Sequence, residues 1–139
     1  MEIVQVNLPE DSYNALEEMC GHVGGLLKQL NLPYRMVNLC GGDLGYTAAQ
    51  TFDFEVYSAG QDKWLEVSSV SNFETYQTNR LKLRCRGEDK RNFLLHTLNG
   101  SALAIPRILA AILENGQTSN SIVIPPVLVP YTGFESISN

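Results

Sequence analysis

Residues that build metal cages and disulfides are scarce in this chain of 139 residues, which has three cysteines, two histidines and one tryptophan. Cys20, Cys40 and Cys85 are odd in number, widely spaced and form no CxxC pair, so neither a disulfide framework nor a thiolate zinc site has its parts. That pattern predicts reduced thiols, mostly in the core, of a cytoplasmic protein. Long apolar runs are also missing. None approaches the roughly 18 residues of a helical membrane span, and the opening MEIVQVNLPE lacks the basic-then-apolar order of a secretory signal, so no membrane partner is expected. Positive charge is the third shortage. Ten Lys and Arg against fifteen Asp and Glu leave a net charge of −5, which argues against an unaided grip on a nucleic-acid backbone. Repeats, low-complexity tracts and internal linkers are absent too, and the length fits one domain, 1–139.

The composition that remains is that of a folded chain, 44% hydrophobic and 18% charged. A strand is expected over Glu2–Asn7, with Glu2, Val4 and Val6 on one face; if that face is the inner one, Glu2 lies at the edge of a core or pocket, and the plainer reading is an exposed acid at a chain end. Pro9 and Asp11 then open a helix whose buried stripe reads Tyr13, Leu16, Met19, Cys20, Val23, Leu26, Leu27 and Leu30. A strand over 34–40 follows, then GGDLG at 41–45, which is glycine-rich but is not a P-loop. TFDFEVYS and KWLEVSSV form a hairpin with Phe52, Phe54 and Val56 on one face and Asp53, Glu55 and Tyr57 on the other. SNFE at 71–74 matches a capping box, predicting a short helix through Arg80. Strands over 81–86 and 93–98, a helix over 101–115 and a proline-interrupted edge strand over 122–129 complete the order. The fold class is α+β, a mainly antiparallel sheet with helices packed on it. The run RLKLRCR (80–86) is the one basic segment; alternation suits a solvated strand face, and an RNA or partner contact is the other reading.

Two stretches carry chemistry. HTLNGSALAIPR (96–107) reads as a strand that ends at Asn99-Gly100 and turns straight into a helix. Arg107 sits there on a stripe of small residues, Ala104, Ala110 and Ala111, which suits an anion; a surface arginine on an ordinary amphipathic helix is the plainer reading. In KWLEVSSV, Glu66 with Ser68 and Ser69 close behind offers the hard oxygen ligands that Mg²⁺ accepts, against the plainer reading of an exposed polar edge.

LEVSSVSNFETYQTNRL, HTLNGSALAIPRILAAILENGQ and IPPVLVPYTGF together resemble the C-terminal part of the catalytic domain of the seryl-tRNA synthetase family, which is class II. The likeness runs from EIVQV to PYTGF, and HTLNGSALAIPR matches the family's last class-defining motif continuously. The resemblance implies ATP-dependent activation of serine to seryl-adenylate and transfer to tRNA, with ATP, serine and Mg²⁺ bound. It implies that Arg107 holds the γ-phosphate, that Glu66 and Ser69 bind Mg²⁺ and through it the ATP phosphates, and that Arg107 and Glu66 are catalytic. It also implies that Glu2 accepts the serine hydroxyl from a buried position and that Asn99 and Ser101 line the serine pocket. The family's second motif, its first motif with the homodimer interface and its tRNA-binding coiled coil have no counterpart here. The chain alone is therefore expected to be inactive or severely impaired, and tRNA(Ser) contact is expected from other segments. A synthetase-like nucleotide-binding or interaction module without aminoacylation is the alternative, and a mainly structural fragment that binds nothing tightly is a third.

Overall fold

Helix α1 (Ser12–Gln29) buries Ala15, Leu16, Met19, Cys20, Val23 and Leu27 along one stripe, the spacing of a helix laid on a sheet. It follows a 3-10 turn at Pro9–Asp11, where proline needs no N–H partner and Glu10 and Asp11 meet the positive helix end. The computed structural model describes residues 1–138. Beneath α1 lie β1 (Glu2–Asn7), β2 (Tyr34–Asn38), β3 (Gln50–Ser58), β4 (Lys63–Asn72) and β7 (His96–Ser101). These strands form one antiparallel sheet in the order β1-β7-β4-β3-β2. Helix α3 (Ile105–Asn115) packs on the same side through Ile108, Ala111 and Ile112, completing one core cluster with Phe54, Val56, Val70 and Leu98. The α+β class expected from the sequence is what the chain adopts. No helix among the described residues is long and apolar enough to cross a membrane.

Outside this sheet, β5 (Arg84–Arg86) pairs with β6 (Asn92–Leu94), joined to β4 through α2 (Tyr76–Leu81). The chain closes through β8 (Ser121–Val123), α4 (Val129–Thr132) and β9 (Ser136–Ser138), with β8 paired to β9.

Several sequence expectations shift, each for a local reason. Tyr13 is exposed and Ser12 takes the buried place. Ser12 Oγ donates to Pro9 O at 3.1 Å, accepts from Asn72 Nδ2 at 3.1 Å and lies 2.8 Å from His96 Nδ1. A fully buried hydroxyl is satisfied by that knot, while Leu16, Met19, Cys20, Val23 and Leu27 keep the expected stripe. The capping box does not form, because Ser71 is engaged with Thr51 Oγ1 and Asn72 Oδ1 accepts from the Glu74 N–H at 2.9 Å. The expected strand at 81–86 shortens to β5 because α2 runs through Leu81 and Lys82 turns left-handed at φ 56°. Residues 122–129 are a strand only as far as Val123; prolines at 125, 126 and 130 convert the rest into helical turns. Only Cys20 of the three thiols is buried, Cys40 being exposed and Cys85 intermediate. Burial, with Glu17 adding its charge, pushes the Cys20 thiol up to about 11 and keeps it protonated.

Strand β1 pairs only with β7, so its outer edge is open, and Val4 and Val6 beside it are 66% and 50% exposed. An uncovered edge with apolar side chains pairs with other chains. The isolated chain is expected to self-associate, its mass by light scattering rising with concentration; a monomer mass held over a wide range would refute this.

Candidate functional site

Directly paired residues of an antiparallel sheet project to the same side, so the register shows which side chains meet. On the side away from α1 and α3, Glu2, Val4 and Val6 of β1 stand opposite Ser101, Asn99 and Thr97 of β7. Asn99 pairs with Ser71 of β4, and Asp53 of β3 pairs with Ser69 of β4. The face bearing Glu2 is thus not the core face. Ile3, Gln5 and Asn7 take the partly buried positions and Glu2 is exposed, which corrects the expectation of a buried Glu2. Its carboxylate still has a defined neighbour, since Ser101 Oγ donates to Glu2 Oε2 at 3.0 Å.

Glu66 and Ser69 are three positions apart, and a regular strand sends such a pair to opposite faces. The register solves this. Phe54 pairs with Ser68 while Glu55 pairs with Glu66, leaving Val67 as the extra residue of a β-bulge. Val67 and Ser68 are both buried on the helix side, and Glu66 and Ser69 therefore emerge together on the polar face. Ser68, considered with them from the sequence, instead turns inward and donates to Ser101 O. The bulge also leaves Val67 O free of the ladder, and Ala104 N–H donates to it at 2.7 Å, fixing where α3 begins.

Strand β7 continues to Ser101, and α3 starts only at Ile105. The expected turn at Asn99-Gly100 is therefore strand. Gly100 is required there by a close approach, because a Cβ on it would lie 2.9 Å from Val70 Cγ2 and 3.1 Å from Ser69 O. Pro106 falls in the first helical turn, where its missing N–H costs nothing, and the helix cannot reach back to Ser101 as expected. Arg107 comes one residue later, exposed, with its Nη1 donating to the main-chain oxygen of Glu66. A cation from α3 thus reaches the backbone of Glu66 at the bulge. Neither Arg107 nor Glu66 has an ion-pair partner among the described residues, whereas Glu55, directly opposite Glu66 in the register, is neutralised by Arg35.

Asp53 is the residue that reading the sequence missed as a site candidate. It stands directly across from Ser69, and its Oδ1 is shut from solvent with no hydrogen-bond partner among the described residues. A buried acceptor without a donor is costly, and a cation held at Ser69 and Glu66 would satisfy it. No cluster of three or more His, Cys, Asp or Glu suited to a metal occurs among the described residues. Mg²⁺ seldom needs one, being held by one or two carboxylates with phosphates and waters filling its shell.

The sequence matches the family of class II tRNA synthetase core domains (G, H, P, S and T) over residues 1–116. The chain belongs to that family. Among its curated relatives, the serine–tRNA ligase of Methylobacillus flagellatus is 53% identical over 134 residues, 96% of this chain and 31% of that protein. The seryl-tRNA synthetase of Pyrococcus horikoshii, solved in complex with ATP, superposes with a TM-score of 0.94 at 42% identity, covering 99% of this chain and 31% of the other. The cytoplasmic serine–tRNA ligase of Naegleria fowleri, solved with AMP, gives a TM-score of 0.90 at 35% identity, covering 99% and 33%. The chain therefore spans about a third of the length of the relatives it matches. Its antiparallel sheet with helices on one side is the synthetase catalytic fold of those neighbours.

Proposed function

We propose that this chain, as a single domain over 1–139, supplies the Mg·ATP phosphate site and one wall of the serine pocket of a serine–tRNA ligase. The observation that carries the reading is the bulge at Val67, which brings Glu66 and Ser69 to one face, with the Arg107 guanidinium bonded to the main-chain oxygen of Glu66. The ATP complex of the Pyrococcus horikoshii enzyme, with its near-superposable fold, supports a nucleotide as the ligand.

The reaction joins the carboxylate of serine to the α-phosphate of ATP, releasing pyrophosphate, and then moves the seryl group to tRNA(Ser). No protein nucleophile is needed, so the chain's task is placement and charge neutralisation. Arg107 holds the γ-phosphate by a charge-assisted contact, which requires its guanidinium to leave the Glu66 carbonyl. Glu66 and Ser69 would hold Mg²⁺, with Asp53 presenting a further oxygen, and the ion when bound would supply neutralisation of phosphate charge. Glu2 accepts the hydroxyl of the substrate serine, Ser101 fixes the Glu2 carboxylate, and Asn99 lines the same wall. Such an acceptor rejects alanine only where it is shut from water and would be left unpaired; Glu2 is exposed here, so that discrimination requires the remainder of the ligase to close over it. The full ligase is read as a cytoplasmic homodimer that takes tRNA largely through segments outside these residues. The alternative is a nucleotide-binding module without aminoacylation, and the two part on serine-dependent exchange of pyrophosphate into ATP.

Isothermal titration of ATP into the chain tests the site itself. Binding is expected to require magnesium and to be lost in Glu66→Gln. Binding that ignores magnesium or is retained by that variant would overturn the assignment of the phosphate site to these residues, and none by a folded chain would mean that the pocket needs its other half, leaving the chain a structural piece of the ligase.

A further inference from the structure

Residues 80–91 hold six of the ten cations in the chain, Arg80, Lys82, Arg84, Arg86, Lys90 and Arg91, against two acids, Glu88 and Asp89. All six cations are exposed. Arg84 is turned onto the carbonyls of Thr78 and Leu83, and Arg91 lies 3.8 Å from Asp89. Lys82, Arg86 and Lys90 have no ion-pair partner among the described residues. A strongly acidic chain has thus gathered its positive charge on one small arm, α2 and the β5–β6 hairpin, outside the main sheet.

The arm is not loosely attached. Thr78, fully buried, donates to Leu95 O at 2.6 Å, and Thr97 Oγ1 donates to Gln77 Oε1 at 2.7 Å. Both bonds fasten α2 to the segment that runs into β7, the strand bearing Asn99 and Ser101. Beside it lies a stack of aromatic and cationic groups. The Arg80 guanidinium sits 3.4 Å over the Tyr76 ring, and the Tyr46 ring meets Tyr76 edge-on at 5.9 Å. Tyr46 is 90% exposed, with its ring offered to solvent. Cations alone would suit any polyanion, including an acidic protein. An exposed aromatic ring against the Tyr76–Arg80 stack, on an arm that carries five further cations, is the combination that takes single-stranded nucleic acid, phosphates on the charges and a base on the ring.

We propose that the α2–β5–β6 arm, with Tyr46, is an RNA-contact surface that takes an unpaired segment by its phosphates and one base. The choice of RNA over an acidic protein rests on the ligase reading as well as on the aromatic stack. The arm thereby gives this chain a tRNA contact of its own, close to the strand that lines the proposed serine pocket, despite its net negative charge.

The test is fluorescence anisotropy of a fluorescein-labelled, unstructured RNA oligonucleotide titrated with the chain at several salt concentrations. If the arm engages four phosphates, the log–log salt slope is about −3, an affinity loss of about 50-fold between 50 and 200 mM salt. The double substitution Arg86→Ser with Lys90→Asn is expected to reduce that slope by about 1.4. Asparagine suits the left-handed backbone of Lys90, at φ 64°, so the hairpin is retained. Tyr46→Ala is expected to weaken binding at least about five-fold. Unchanged affinity in both folded variants would overturn the proposal. So would polyglutamate competing as well as RNA while Tyr46→Ala changes nothing, since the surface would then be one for an acidic protein. Magnesium-dependent ATP binding is read separately. Its loss with RNA binding kept would remove the ligase reading and leave an RNA-binding arm, and the reverse would remove only the arm.

Discussion

Replacing Arg107 with alanine is expected to lower serine-dependent pyrophosphate exchange by about 10²–10³, equivalent to about 2.7–4 kcal/mol of transition-state stabilisation. The measurement belongs in a ligase of full length that carries these residues. The guanidinium is exposed and bonded only to a main-chain oxygen, so its removal leaves no buried orphan and the fold should keep its melting temperature. A lysine restores the charge but not the planar fork, and partial recovery is expected from it. If the alanine variant retained exchange within a few-fold of the parent, Arg107 would be a surface residue of α3 and the phosphate site would lie elsewhere.

Phe54→Ala acts on the opposite face and on a different quantity. Phe54 is 1% exposed, its ring centroid 6.2 Å from that of Tyr34, beneath the helix turn where Gly24 lets α1 approach. A Cβ on Gly24 would already sit 3.5 Å from Phe54 Cε1, so the helix rests closely on the ring. Truncation leaves a cavity that neither element can readily close, costing about 3–5 kcal/mol. In a chain of this size the thermal midpoint should fall by more than about 10 °C. Calorimetry or circular dichroism decides it, and a fall of only a degree or two would mean that the sheet and α1 do not share this core.

The two faces explain what could and could not be read from the sequence. TFDFEV alternates without interruption, so β3 and its apolar face were plain. Glu66 and Ser69 were legible as chemistry but not as geometry, because strict alternation separates them. The phase change was there to be seen: Leu65 and Val67 keep one parity and Val70 takes the other, which is the mark of an inserted residue. Asp53 was read as the polar side of a strand, since nothing in a sequence says that a carboxylate oxygen will be shut from water. Ser12 displaced Tyr13 because a hydroxyl that finds His96 and Asn72 is satisfied inside, and those partners are 84 and 60 residues away. Helix α3 started late for a reason only the tertiary structure holds, the Ala104 bond to the oxygen that the bulge releases. Family resemblance supplied roles for Glu2, Asn99 and Ser101, and the register places all three on one face.

Strand β7 lies between β1 and β4, and its Thr97, Leu98 and Gly100 are buried. Amides flanked by partners on both sides exchange with deuterated solvent only when a large part of the fold opens, whereas those in hairpins and edge strands exchange by local fraying. The backbone from Leu98 to Gly100, which carries Asn99 and is paired on both sides, should therefore be among the last to take up deuterium, long after β2, β5–β6 and β8–β9. The Asn99 part of the wall assigned to the amino acid is then among the stiffest parts of the molecule, and the arm assigned to RNA is among the softer. A rigid pocket discriminates between serine and a near-isostere, and a yielding arm accommodates a polymer that arrives in many conformations.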